Sequence, residues 1–93
     1  YRRNFKTIIA TRERTAARLE ELGFRVLPSQ TNFLLVRPPR LAARTWLEKL
    51  RQRKILVRWF SAPEVRSFLR ITIGTPAEMD ALVKAAATIV RSR

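Results

Sequence analysis

The sequence contains no cysteine and no histidine. The first absence excludes disulfides and thiolate chemistry. It fits a reducing compartment, and a cytoplasmic protein is expected. The second removes the side chain most used as a general base and as a metal ligand. With both missing, zinc sites of the usual kinds are excluded, and no metal is expected. Acids are scarce as well: Glu13, Glu20, Glu21, Glu48, Glu64, Glu78 and Asp80 are the only seven carboxylates. Most fall on the surfaces of predicted helices, and no two converge for acid–base work. We therefore expect no catalytic residue in these 93 positions, and no activity from them alone. There is no apolar run of about 18 residues that would span a membrane. No signal-peptide pattern is visible either.

Basic residues are plentiful. The formal net charge is +13, and 16 of the 20 cations are arginine. Such a balance suits anionic partners. The arginines are spread over every segment rather than gathered in one run, which weighs against a nucleic-acid stripe. A chain of 93 residues suits a single domain over residues 1–93. It opens at Tyr1, directly in a helical pattern, so we expect a piece of a larger protein.

Periodicity divides the chain into seven segments. Phe5, Ile8, Ile9, Ala16, Leu19 and Leu22 recur at helical spacing over about residues 3–22, with Arg12 inside the stripe and Gly23 as the stop. Residues 24–27 form a short strand, residues 28–31 a turn and residues 32–36 a strongly apolar strand. Pro38 and Pro39 break the chain before a helix over residues 40–53 carrying Ala43, Trp46, Leu47 and Leu50 on one side. Residues 55–58 form a third strand, residues 59–67 a loop around Pro63, and residues 68–73 a fourth strand. Thr75-Pro76-Ala77-Glu78 is a capping box that starts the last helix, whose apolar stripe is Met79, Leu82, Val83, Ala86, Ile89 and Val90. The order α-β-β-α-β-β-α predicts an α+β domain with a mostly antiparallel four-stranded sheet and helices packed on one face.

Arg70 stands out in this frame. It interrupts Phe68-Leu69-Arg70-Ile71-Thr72-Ile73, where alternation sends Leu69, Ile71 and Ile73 to one face and Phe68, Arg70 and Thr72 to the other. A guanidinium in mid-strand is costly unless it meets an anion or a wet cavity. Its fork suits two-point contact with a carboxylate or phosphate. The Arg70 face is therefore read as a binding surface and the isoleucine face as core. The plainer alternative is a structural ion pair with Glu64 or Asp80. Arg58 ends the preceding strand, where a solvated arginine is common. Asn32 reads first as a turn former, Trp46 and Trp59 as packing residues, and Thr72 as an ordinary strand threonine.

Two strings carry a family resemblance. One is Pro28-Ser29-Gln30-Thr31-Asn32-Phe33-Leu34-Leu35-Val36. The other is Ile55-Leu56-Val57-Arg58-Trp59-Phe60, with Leu69-Arg70-Ile71-Thr72-Ile73-Gly74-Thr75 following. In this order they resemble the C-terminal small domain of fold-type-I, pyridoxal-phosphate-dependent aminotransferases, above all the histidinol-phosphate aminotransferase group. The resemblance covers nearly the whole chain. It implies a small domain whose large partner domain carries the Schiff-base lysine and holds pyridoxal phosphate, so no cofactor is expected on this segment. It implies that Arg70, helped by Arg58, clamps the anionic end of the substrate. The implied substrates are L-histidinol phosphate and 2-oxoglutarate, and the implied assembly is a homodimer, with no membrane and no specific nucleic acid.

Three positions depart from that pattern. Lys54 stands where the family usually has glycine, Trp59 where tyrosine is frequent, and Phe68 where small residues are common. An aminotransferase or decarboxylase of the same fold with another substrate remains an alternative at this stage. So do a small basic RNA-binding module with an open sheet face, and an interaction domain with an exposed apolar seam.

Overall fold

A computed structural model describes residues 5–27 and 32–91. Residues 1–4, the expected turn at 28–31 and the Phe5 side chain lie outside that description. The elements are α1 (Phe5–Glu21), β1 (Arg25–Leu27), β2 (Phe33–Arg37), α2 (Ala43–Gln52), β3 (Leu69–Thr72) and α3 (Pro76–Arg91).

Helix α1 ends because Gly23 takes φ 100°, a conformation open to a residue without Cβ. Gly23 N–H then donates to the Glu20 carbonyl at 3.0 Å and Phe24 N–H to the Leu19 carbonyl at 3.1 Å, which satisfies the last carbonyls of the helix. Its buried stripe differs from the expected one. Ile9 is exposed, while Thr11, Thr15 and Leu19 are buried at successive i, i+4 positions. Thr15 is tolerated there because its hydroxyl donates to the Thr11 carbonyl at 2.7 Å. Arg12, beside this stripe, is half-buried. Helix α3 starts as its sequence requires: Thr75 N–H donates to Glu78 Oε1 at 2.7 Å, and Glu78 N–H donates to Thr75 Oγ1 at 3.1 Å.

The sheet is antiparallel in the order β1-β2-β3. Leu35 lies opposite Arg70 and Leu34 opposite Ile71. The Asn32 carbonyl accepts from Ile73 N–H at 2.8 Å, which carries the ladder one step past the strand ends. Asn32 thus contributes backbone to the fold, as a structural residue would. Leu34, Val36, Leu69, Ile71 and Ile73 are buried in one core with Leu19, Trp46, Leu50, Met79, Leu82 and Ile89 of the helices. Trp46 is fully buried, meets Phe24 edge-on at 4.9 Å and donates its indole N–H to the Pro39 carbonyl at 2.9 Å. The three helices therefore cover one face of the sheet, and Phe33, Leu35, Arg70 and Thr72 occupy the other.

The expected fourth strand is a correction. The sheet has three strands, and residues 55–58 contribute one isolated bridge, between Arg58 and Arg70. Its two hydrogen bonds are sound, at 2.9 Å and 2.8 Å. The pairing stops there for two physical reasons. Leu56, which would form the next hydrogen-bonded pair, is 82% exposed on the open face, so closing it buries little. Beyond Arg58 the chain turns into a loop that Trp59 ties back, its indole N–H donating to the Arg66 carbonyl at 2.8 Å.

Lys54 enters this segment with φ 63°. The left-handed region costs a residue with a Cβ about 1–2 kcal/mol, partly offset by the entropy glycine would lose on folding. Lys54→Gly is expected to stabilise the protein by about 0.5–1 kcal/mol, read as a rise of a few degrees in Tm. An unchanged or lower Tm would show that the turn carries no strain.

Candidate anion site

Strand alternation and the bridge place the two sequence-predicted arginines together. Arg58 and Arg70 are opposite partners in a hydrogen-bonded antiparallel pair, so their side chains leave the same face of the sheet. Arg58 is exposed and Arg70 half-buried. Arg70 does not serve as one half of an internal ion pair. Asp80 bridges Arg18 instead, at 2.6 Å, and no carboxylate among the described residues bridges Arg70. Its Nε is buried and has no hydrogen-bond partner. A buried, unsatisfied donor on a cation costs about 1–3 kcal/mol.

Space for such an anion lies beside it. A cleft of about 520 Å³ is lined by Arg51, Arg58, Phe60, Arg70 and Thr72, with no carboxylate on its walls. Two of these residues escaped sequence reasoning. Arg51 sits in the last turn of α2, where a basic side chain ordinarily complements the helix dipole. Phe60, 40% exposed, lies two positions beyond Arg58 in the extended segment. Only the return of the chain past α2 brings both to this cleft. Trp59 also lines this cleft while packing against the core, and Arg44 lies 5.9 Å from its ring centroid. Trp46 is thus a packing residue, whereas Trp59 both packs and borders the cleft. One more side chain touches Arg70 on the same face of the sheet, the Phe33 ring, whose centroid is 4.6 Å from Arg70 Cζ.

An α+β domain with helices on one face and an unpaired arginine on the other is the class defined so far. The family model for aminotransferases of class I and II matches residues 1–85. The chain belongs to that family. It is 51% identical over 84 residues to a histidinol-phosphate aminotransferase of Chromohalobacter salexigens, covering 90% of this chain and 24% of that protein. It is 46% identical over 91 residues to one of Aromatoleum aromaticum, covering 98% of this chain and 26% of that protein. Among solved structures it superposes with TM-score 0.82 and 29% identity on the histidinol-phosphate aminotransferase of Sinorhizobium meliloti in complex with pyridoxal-5′-phosphate, covering 92% of this chain and 24% of that one. The chain spans about a quarter of the length of the relatives it matches.

The family is pyridoxal-phosphate-dependent. That cofactor reacts through a lysine Schiff base. Neither Lys6, Lys49, Lys54 nor Lys84 lines the cleft that holds Arg58 and Arg70. The Schiff-base end of the cofactor therefore has no lysine partner in this cleft. No helix among the described residues is long and apolar enough to cross a membrane.

Proposed function

We propose that this chain is the C-terminal small domain of a pyridoxal-phosphate-dependent aminotransferase. The intact enzyme moves an amino group between L-histidinol phosphate and 2-oxoglutarate, in the cytoplasm and as a homodimer. Arg70, helped by Arg58, binds the anionic end of either substrate. The observation that carries this reading is the Arg70 guanidinium: without an ion-pair partner among the described residues, and lining a cleft free of carboxylates. The names of the relatives support the choice of substrate.

The cofactor, held by the remainder of the enzyme, supplies the electron sink. This chain's part is binding and orientation. Two guanidiniums on adjacent strand positions match the oxygens of a phosphate, and each charge-assisted hydrogen bond contributes about 1.5–3 kcal/mol. Fixing one end of the substrate positions the amine end for reaction, which lowers the entropic part of the barrier. Arginine does not deprotonate at working pH, so the clamp is always charged.

The test is a comparison of L-histidinol phosphate with L-histidinol on the full-length enzyme. A phosphate preference of about a hundredfold or more in kcat/KM is expected from two such hydrogen bonds, and Arg70→Gln should collapse it. Equal use of both compounds by the unmodified enzyme would overturn the assignment.

A further inference from the structure

An arginine side chain has several rotatable bonds, and a clamp works only if its fork is held at one angle. The usual device is a carboxylate behind the guanidinium. That device has a drawback here, because it would neutralise the charge the substrate needs. Arg70 lacks it: no carboxylate among the described residues bridges it, and its Nε makes no hydrogen bond.

What touches the guanidinium instead is the Phe33 ring, at 4.6 Å from Cζ to the centroid. The antiparallel register explains this approach. Leu35 lies opposite Arg70 and Phe33 opposite Thr72, so Phe33 is the diagonal neighbour of Arg70 on the same face. Diagonal neighbours across a sheet are within reach for aromatic and long side chains. Phe33 is half-buried and is not among the residues that line the cleft.

We propose that Phe33 is a positioning residue for the clamp. This rests on the reading of Arg70 as the substrate's anion site. The ring attracts the cation through its quadrupole and offers a flat surface for the planar guanidinium. It contributes no negative charge and no competing acceptor. The arginine is thereby oriented while its full charge stays available to the phosphate. The bland reading is that Phe33 only packs on its cross-strand neighbours.

A double-mutant cycle on the full-length enzyme separates the two. Phe33→Leu keeps apolar bulk and removes the ring face; Phe33→Tyr keeps the face. The measurement is KM and kcat with L-histidinol phosphate. Phe33→Leu is expected to raise KM about five- to thirty-fold with kcat within about twofold, from the known strength of desolvated cation–π pairs. Phe33→Tyr should stay near the parent. In an Arg70→Gln background, Phe33→Leu should add less than about a twofold change, because the group it orients is gone. Should the leucine variant fail to accumulate, Phe33→Met takes its place. An equal effect of Phe33→Leu in both backgrounds, or a tyrosine variant as impaired as the leucine one, overturns the proposal. If Arg70→Gln is damaging and Phe33→Leu silent, the clamp survives and the Phe33 role falls. If Arg70→Gln leaves KM unchanged, both fall.

Discussion

Arg70→Ala in the full-length enzyme is expected to raise KM for L-histidinol phosphate by about 10²–10⁴-fold while leaving the cofactor's absorbance spectrum unchanged. Removing two charge-assisted hydrogen bonds, at about 1.5–3 kcal/mol each, gives that range at roughly 1.4 kcal/mol per factor of ten. The cofactor should not notice, since no lysine of this chain lies in the Arg70 cleft. Arg70→Lys should fall between parent and alanine variant, because it keeps the charge and loses the fork. The stability readout distinguishes a binding arginine from a structural one. Arg70 has an unpartnered Nε and no ion pair among the described residues, so its removal leaves no orphaned carboxylate behind. The alanine variant should therefore melt within a few degrees of the parent. Parent-like kinetics with a large fall in Tm would mean that the residue serves the fold.

The second large effect concerns the core. Trp46→Ala is expected to destabilise the protein by about 3–5 kcal/mol, in the range measured for buried aromatic truncations. Trp46 has no exposed surface, so its removal leaves a cavity at the centre of the packing. It also deletes the edge-on packing with Phe24 at 4.9 Å, and it strands the Pro39 carbonyl that accepted the indole N–H at 2.9 Å. Against a typical total of about 5–15 kcal/mol, that loss approaches the whole stability of a small domain. Urea denaturation followed by circular dichroism measures it. Trp46→Phe, which refills most of the volume, should cost clearly less. A loss below about 1 kcal/mol for the alanine variant would show that the site collapses around the gap.

Much of this molecule is legible in its residue pattern. Period-two alternation separates Leu69, Ile71 and Ile73 from Arg70 and Thr72, and the structure buries the first three and leaves the other two on the open face. The capping box at Thr75 and Glu78 forms as its spacing implies. Both features are legible because they depend on neighbours in the chain. The stripe of α1 is less so, since Thr11 and Thr15 look polar until backbone carbonyls are there to take their hydroxyls. The four-residue segment before Trp59 looks like a strand by composition. How far it pairs depends on tertiary context, and the pairing is limited to one bridge, between Arg58 and Arg70.

From its amino acids alone, this chain had to be an α+β domain without thiol or imidazole chemistry, carrying a cation in mid-strand on the face away from the core; alternation, caps and missing residue types are local properties. Tertiary structure decided which groups meet that cation. Arg58 across a single bridge, Arg51 from the end of a helix and Phe33 on the diagonal come from separate stretches of sequence. Their convergence is set by strand register and by the path of the chain between elements, which depend on how the whole core packs.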